Sequence, residues 1–177
     1  MNKSKTLVIL AFAIPLLITI STLVYIYIKP IQLPLPKEIV FCMALLLPTI
    51  SYIIGIMRVA FLRVKTNNLD NPLEANNNEN FAIAKQYLSN TTEQIVLAII
   101  TYYLICFSLP HYLIYAAIVL SVYFFIGRMI FMIGYKNVFA RMVGFGLTCH
   151  TNTLAFLLVF GFYCTYFYFL IKQIFMS

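Results

Sequence analysis

The feature that most constrains this chain is a series of five apolar runs that fill nearly all of its 177 residues. An α-helix rises about 1.5 Å per residue, so roughly 20 apolar residues cross the hydrocarbon core of a bilayer. Each run reaches this length, and each therefore predicts a membrane-spanning helix. The runs are Leu7–Ile28, Ile39–Leu62, about Phe81–Leu109, Tyr112–Tyr135 and about Met142–Ile171.

The composition indicates that these segments are helices in lipid. Hydrophobic residues make up 63% of the chain and charged residues 10%, which is more apolar surface than a water-soluble fold can bury. Lipid offers backbone groups no partner, which leaves helices or a closed barrel. Barrel strands would alternate apolar and polar residues, whereas these runs are continuous. We therefore predict the all-α fold class, as a polytopic transmembrane helical bundle.

The formal charge of +7 predicts an orientation in the membrane and no nucleic-acid partner. Nine of the twelve basic residues fall at one set of helix ends, and Lys29, Lys37 and Lys172 fall at the other. By the positive-inside rule the N-terminus is cytoplasmic and, after five crossings, the C-terminus lies on the opposite side. The sequence thus predicts a multi-pass protein surrounded by membrane lipid, in a bacterial inner membrane or the endoplasmic reticulum.

The four cysteines predict neither a disulfide framework nor a metal site. They lie inside apolar runs, and no CxxC pair occurs among them. Buried thiols of this kind usually act as small hydrophobic side chains.

Three polar side chains mark one stripe of the third helix. Gln86, Asn90 and Glu93 are separated by four and three residues, which places them on a narrow face. Uninterrupted apolar sequence starts only at Ile95, so this stripe belongs to the interfacial turns of the helix. Two interpretations remain open: a helix end wetted by water, or a polar pocket that faces other helices.

Arginine residues lie near the end of the fourth run and the start of the fifth. Arg128, Phe131 and Tyr135 are three and four residues apart and share a face. An arginine below the membrane interface is costly unless it is paired or snorkels to the surface, and Glu93 is the natural partner for Arg128 at similar depth. Arg141 begins the fifth helix, where the helix dipole does not favour a cation. This position is suggestive of an anionic ligand, although a topology-setting arginine explains it at least equally well.

A polar patch within the fifth run predicts hydrogen bonds between helices. Thr148, Thr151 and Asn152 could bond to neighbouring helices across the lipid-excluded interior. His150 lies among them without a second histidine or a carboxylate nearby in sequence, which favours a hydrogen-bonded structural histidine over a ligand or base.

Together these motifs resemble the MAPEG superfamily, membrane-associated proteins in eicosanoid and glutathione metabolism. The segment from Arg128 to Tyr135, followed by Arg141, is similar to the family's arginine, its tyrosine seven residues later and the arginine that begins its next helix. Asn90 and Glu93 resemble the family's Asn-x-x-Glu on the second of four core helices. The resemblance covers roughly Ile39–Ile171 and depends on the order and spacing of both motifs.

The resemblance implies a MAPEG-like four-helix membrane domain over residues 37–177, with residues 1–36 adding an N-terminal transmembrane helix and turn. It implies a homotrimer that binds glutathione, as a co-substrate, between adjacent subunits. Arg141 would stabilise the glutathione thiolate, and Tyr135 would join it as the second catalytic residue. The residues implied to bind glutathione are Asn90, Glu93, Arg128 and Gln86, the last standing where eicosanoid-type members carry an arginine.

Two functions remain open from the sequence. The first is a glutathione-dependent transferase or peroxidase that acts on a lipophilic electrophile arriving from the lipid. The second is a non-catalytic membrane protein that uses the same bundle to engage proteins or lipids, which the uncharged Gln86 and the added first helix favour. Five spans with Gly144–Leu147 after the arginine also look similar to mattrin-like members, for which the family's enzymology is not assumed.

Overall fold

In a computed structural model, five α-helices follow one another along the described residues, which are 3–29, 34–65 and 79–176. Each helix is long and apolar enough to cross a membrane. These helices confirm the predicted all-α, multi-pass membrane bundle, although most of the predicted first turn (residues 30–33) lies outside the described ranges. The helices are α1 (Lys3–Ile28), α2 (Lys37–Lys65), α3 (Glu79–Ser108), α4 (Ala116–Ile133) and α5 (Val138–Met176).

The last two helices differ most from their predicted bounds. α4 begins at Ala116 and not at Tyr112, because the residues before it form successive turns. In these turns the Leu113 N–H donates to Pro110 O at 2.9 Å, and the Ala116 N–H donates to Leu113 O at 3.0 Å. α5 has 39 residues and extends beyond both predicted ends. It rises about 58 Å, close to twice the thickness of a hydrocarbon core.

Helices α2 to α5 pack together as the core bundle, and α1 lies against α5 and, less extensively, against α4. The main apolar cluster includes Ala44 of α2, Ala98 and Tyr102 of α3, Phe124 of α4 and Ala155 of α5. Small side chains at these contacts let helices approach closely, as helices do in membranes. Many large apolar side chains on the outer faces are exposed, which suits a bundle surrounded by lipid.

Two glycines let α4 and α5 cross in direct backbone contact. A Cβ built on Gly144 would lie 2.6 Å from Gly127 O and 2.8 Å from Phe131 Cα, so no side chain fits there. After the crossing, Asn137 begins α5 as its cap, with its side-chain Oδ1 accepting from the Phe139 N–H at 2.9 Å. The end of α4 and the start of α5 are thereby held side by side.

Candidate functional site

An open cavity of about 280 Å³ lies between the starts of α3 and α5, the end of α4 and Phe12 of α1. Helices α3 and α5 and the turn after α4 therefore bring four of the six predicted site residues around one space: Gln86, Asn90, Tyr135 and Arg141. Because helix termini carry most of these residues, the cavity lies near one end of the bundle. The lining residues are Phe12, Gln86, Asn90, Phe131, Tyr135, Arg141, Met142 and Phe145.

Arg141 and Tyr135 form the cationic side of the cavity. The guanidinium carbon of Arg141 lies 5.2 Å from the centroid of the Tyr135 ring, within cation–π distance. The Tyr135 ring meets Phe131 edge to face, with centroids 5.5 Å apart and an angle of 90° between the planes. Within the described ranges no carboxylate forms an ion pair with Arg141. Its charge is therefore available to an anionic ligand.

Gln86 and Asn90 form the amide side of the cavity. They lie one turn apart on α3, and Gln86 Nε2 donates to Asn90 Oδ1 at 3.4 Å. This distance is long for a hydrogen bond, so little is lost when either amide turns to a ligand. Each amide offers both donors and an acceptor.

Glu93 contacts neither the cavity nor Arg128. It is exposed on α3, whereas Arg128 is fully buried on α4. The ion pair found among the described side chains instead joins Lys136 Nζ to Glu79 Oε1 at 3.3 Å. The predicted pair between Arg128 and Glu93 is therefore wrong. Similar depth in the membrane does not bring two residues together when their helices direct them to different sides.

Arg128 is sealed inside the bundle behind the cavity. Its Nη2 donates to Thr148 Oγ1 of α5. Its guanidinium carbon lies 5.0 Å from the centroid of Phe131 and 5.9 Å from that of Phe124. Among the described residues, Nε and Nη1 have no hydrogen-bond partner. Phe131 contacts Arg128 and also lines the cavity, so Arg128 adjoins the site without lining it.

A second polar contact joins α3 and α5 deeper in the bundle. The buried Asn152 Nδ2 donates to the backbone oxygen of Gln94 at 2.9 Å and to its Oε1 at 3.0 Å. This bond confirms the predicted cross-helix role of Asn152. Thr151 instead bonds within α5, where its Oγ1 donates to Thr148 O at 2.8 Å. The motifs did not single out Gln94, although a glutamine within an apolar run was a usable signal.

Apart from Phe131, the apolar lining was the part of the cavity that the motifs missed. Phe12, Met142 and Phe145 line the cavity, but each occurs in a run of similar apolar residues. In a membrane helix every face carries such side chains, so composition does not separate a cavity wall from a lipid-facing surface. No signal in the sequence marks these three residues.

Comparison with known proteins gives one match. The model of the MAPEG family matches residues 39–161, a segment that runs from the start of α2 into α5. All six predicted site residues lie within it, whereas α1 precedes it. No curated protein and no solved structure gives a significant match to the chain.

Proposed function

Because the chain belongs to the MAPEG family, membrane proteins of glutathione and eicosanoid metabolism, we propose that it binds glutathione in the cavity and transfers it to lipophilic electrophiles. The observation that carries this proposal is the guanidinium group of Arg141, which lines the cavity without an ion-pair partner among the described residues. A nucleophilic thiolate needs such a cation beside it.

Arg141 supports the chemistry through its charge. The thiolate is the nucleophile, and a free thiol has a pKa of about 8.5 that a neighbouring arginine lowers. Arg141 would hold the sulfur as an anion at neutral pH, with the thiol proton released to water. The hydroxyl group of Tyr135 can donate a hydrogen bond to the same sulfur. With a chloronitrobenzene acceptor, a carbon–sulfur bond forms and chloride leaves with the electron pair of the carbon–chlorine bond.

Gln86 and Asn90 support binding of the peptide part of glutathione. Their amides suit peptide groups and carboxylates, although Gln86 gives a weaker contact than an arginine at its position would. The cavity of about 280 Å³ is near the lower limit of small-molecule pockets, which span roughly 300–1,000 Å³. One chain therefore surrounds only part of a bound tripeptide.

The exposed position of Glu93 supports a homotrimer in which a neighbouring subunit completes the site. Facing out of its own chain, Glu93 would approach glutathione held against Arg141 of an adjacent chain. A carboxylate suits the ammonium group of the γ-glutamyl residue. The buried Arg128 would act as a positioning residue, since it packs against Phe131, which in turn contacts Tyr135.

The basic residues support a cytoplasmic location of the cavity. Arg63 and Lys65 at the end of α2 and Lys136 before α5 lie at the same helix ends as the cavity. By the positive-inside rule these ends face the cytoplasm, with the N-terminus on that side and the C-terminus across the membrane. Glutathione belongs to the same compartment, where it keeps thiols reduced.

Calorimetric titration with glutathione, followed by turnover of a chlorodinitrobenzene, tests the proposal. We expect the purified wild-type protein to bind glutathione and to show the ultraviolet absorbance of the thiolate. Arg141→Ala should abolish this absorbance and lower kcat by about 100-fold or more, as loss of a charge-stabilising group does. Arg141→Lys, the matched control, keeps a cation and should retain part of both signals. A wild-type protein that neither binds glutathione nor turns over the acceptor contradicts the proposal.

A non-catalytic membrane protein that engages proteins or lipids is the second candidate. The uncharged Gln86 and the burial of Arg128 favour it, because both reduce the cationic contacts open to the carboxylates of glutathione. This candidate predicts a folded protein without turnover. Turnover that depends on Arg141 rules it out.

A further inference from the structure

We propose that α1, which lies outside the segment matched by the family, supplies a wall of an acceptor subsite and that Phe12 of α1 favours planar aromatic electrophiles. The inference rests on the proposed transfer of glutathione and adds to it the position and the chemical class of the acceptor. Its starting point is the cavity lining, to which α1 contributes Phe12.

The cavity has a polar side and an apolar side. Arg141, Gln86 and Asn90 provide the polar side, where the thiolate would lie. The apolar side consists of three phenylalanine rings and one thioether, which pack favourably against the face or edge of a flat ring. Within it, the Phe131 and Phe145 centroids are 6.4 Å apart. The apolar residues are Phe12, Phe131, Met142 and Phe145.

Phe12 is held toward the cavity by a close contact between α1 and α5. A Cβ built on Gly146 would lie 3.4 Å from both Ala11 O and the Phe12 ring, so the glycine lets α1 approach. The Phe12 ring meets His150 edge to face, with centroids 5.9 Å apart and an angle of 81°. These contacts explain why Phe12 is half-buried, whereas Leu10 on the same helix is 45% exposed.

The packing of α1 also gives the acceptor a path from the lipid. α1 packs against α5 and α4, whereas in the described part of the chain it has no extensive contact with α3. Phe12 of α1 and Gln86 and Asn90 of α3 nevertheless line the same cavity. An opening between the two helices would then give access from the surrounding lipid. An apolar electrophile entering there meets Phe12 before it reaches Arg141.

The sequence contains no tryptophan, so a single introduced tryptophan reports on this wall alone. The Phe12→Trp variant would be titrated in detergent with meta-dinitrobenzene, a flat nitroaromatic quencher that has no leaving group. We expect quenching that saturates, because the probe fills a defined site. Leu10→Trp is the matched control at nearly the same depth, and its quenching should rise linearly with probe that is merely dissolved in the micelle. Linear quenching of equal slope in both variants overturns the inference.

A kinetic comparison connects the subsite to the reaction. Phe12→Ala should raise the KM for chlorodinitrobenzene about two- to tenfold, the size expected for one aromatic contact, and leave the KM for glutathione unchanged. Equal effects on both KM values overturn the inference. The quenching assay needs no glutathione, so the two proposals fail separately. Turnover by the wild-type protein without saturable quenching contradicts the acceptor subsite. Saturable quenching without turnover contradicts the transfer reaction.

Discussion

Arg128 combines a positive charge, full burial and a hydrogen bond from one of its nitrogens, to Thr148. A charge that is buried away from water loses several kcal/mol of solvation free energy, and the interior of a membrane protein restores little of that free energy. The rings of Phe124 and Phe131 offset part of this loss through cation–π contact. The hydroxyl group of Thr148 therefore stabilises the fold more than a threonine in a helix usually does.

Thr148→Val should lower the free energy of unfolding by about 1–3 kcal/mol, because it leaves a further buried N–H group of Arg128 without a partner. Arg128→Met, of similar size but apolar, should leave that free energy unchanged or raise it by about 1–4 kcal/mol. Unfolding titrations in mixed detergent micelles measure both. In the Arg128→Met background, Thr148→Val should lower the free energy of unfolding by much less than in the wild-type protein. An equal cost in both backgrounds would show that the Arg128–Thr148 bond contributes nothing.

Residue spacing predicted part of the cavity lining and could not predict the rest. The four-residue step from Gln86 to Asn90 predicts a shared face, and both amides line the cavity. Glu93 belongs to the same predicted stripe but lies outside the cavity. Residues at the edge of a stripe can face away from the space that the residues at its centre line. Arg128 shares a predicted face with Tyr135 but does not line the cavity. The ring of Phe131 lies against the guanidinium group of Arg128 and lines the cavity in its place.

At the scale of elements, the crossing of α4 and α5 depends on two glycines. Gly144→Ala should lower the free energy of unfolding by about 1–3 kcal/mol, because the new methyl group would meet Gly127 O at 2.6 Å. Gly161→Ala, in the same helix, is the matched control, since no atom of the described residues that could clash lies within 4 Å of its added carbon. It should stabilise the helix by about 0.5–1 kcal/mol. The same unfolding titration applies, and equal effects of the two changes would contradict the close crossing.

Apolar runs predicted the number of helices well and their ends less well. The length of an apolar run reflects the lipid environment, whereas the ends of a helix depend on its backbone hydrogen bonds. Leu113 and Ile114 are apolar and buried, but Pro110 begins a series of turns that contains them. At the other extreme, α5 continues through Lys172 to Met176 although the apolar run ends. Charged side chains at a helix end do not break its backbone bonds.

At the scale of the whole molecule, the sequence predicted a bundle but not the neighbours of α1. Apolar side chains occur on every side of this helix, and its contact with α5 depends on a glycine of the other helix, Gly146. Such packing depends on the shapes of both helix surfaces, so neither apolar run by itself indicates which helix α1 contacts. For the same reason Phe12 could not be predicted as part of a site.

The proposed trimer predicts a protein mass in detergent of three times the 20.4 kDa chain, measured by light scattering with the detergent contribution subtracted. It also predicts complementation. Arg141→Ala and Glu93→Gln chains should each be inactive alone, but co-expressed they should recover turnover at about a quarter of the subunit interfaces, where both native side chains meet. A monomeric mass, or no recovery in mixed assemblies, contradicts a site shared between subunits.

The contact of α1 with α5 has a consequence for biogenesis. A chain leaves the ribosome in order, and its early segments reach the membrane before the late ones exist. The face of α1 that carries Ala11 and Phe12 therefore has no α5 to pack against until Gly146 has been translated and inserted. The wall of the cavity would therefore be completed last, and a nascent chain that ends before the fifth span would have neither the contact between α1 and α5 nor Arg141.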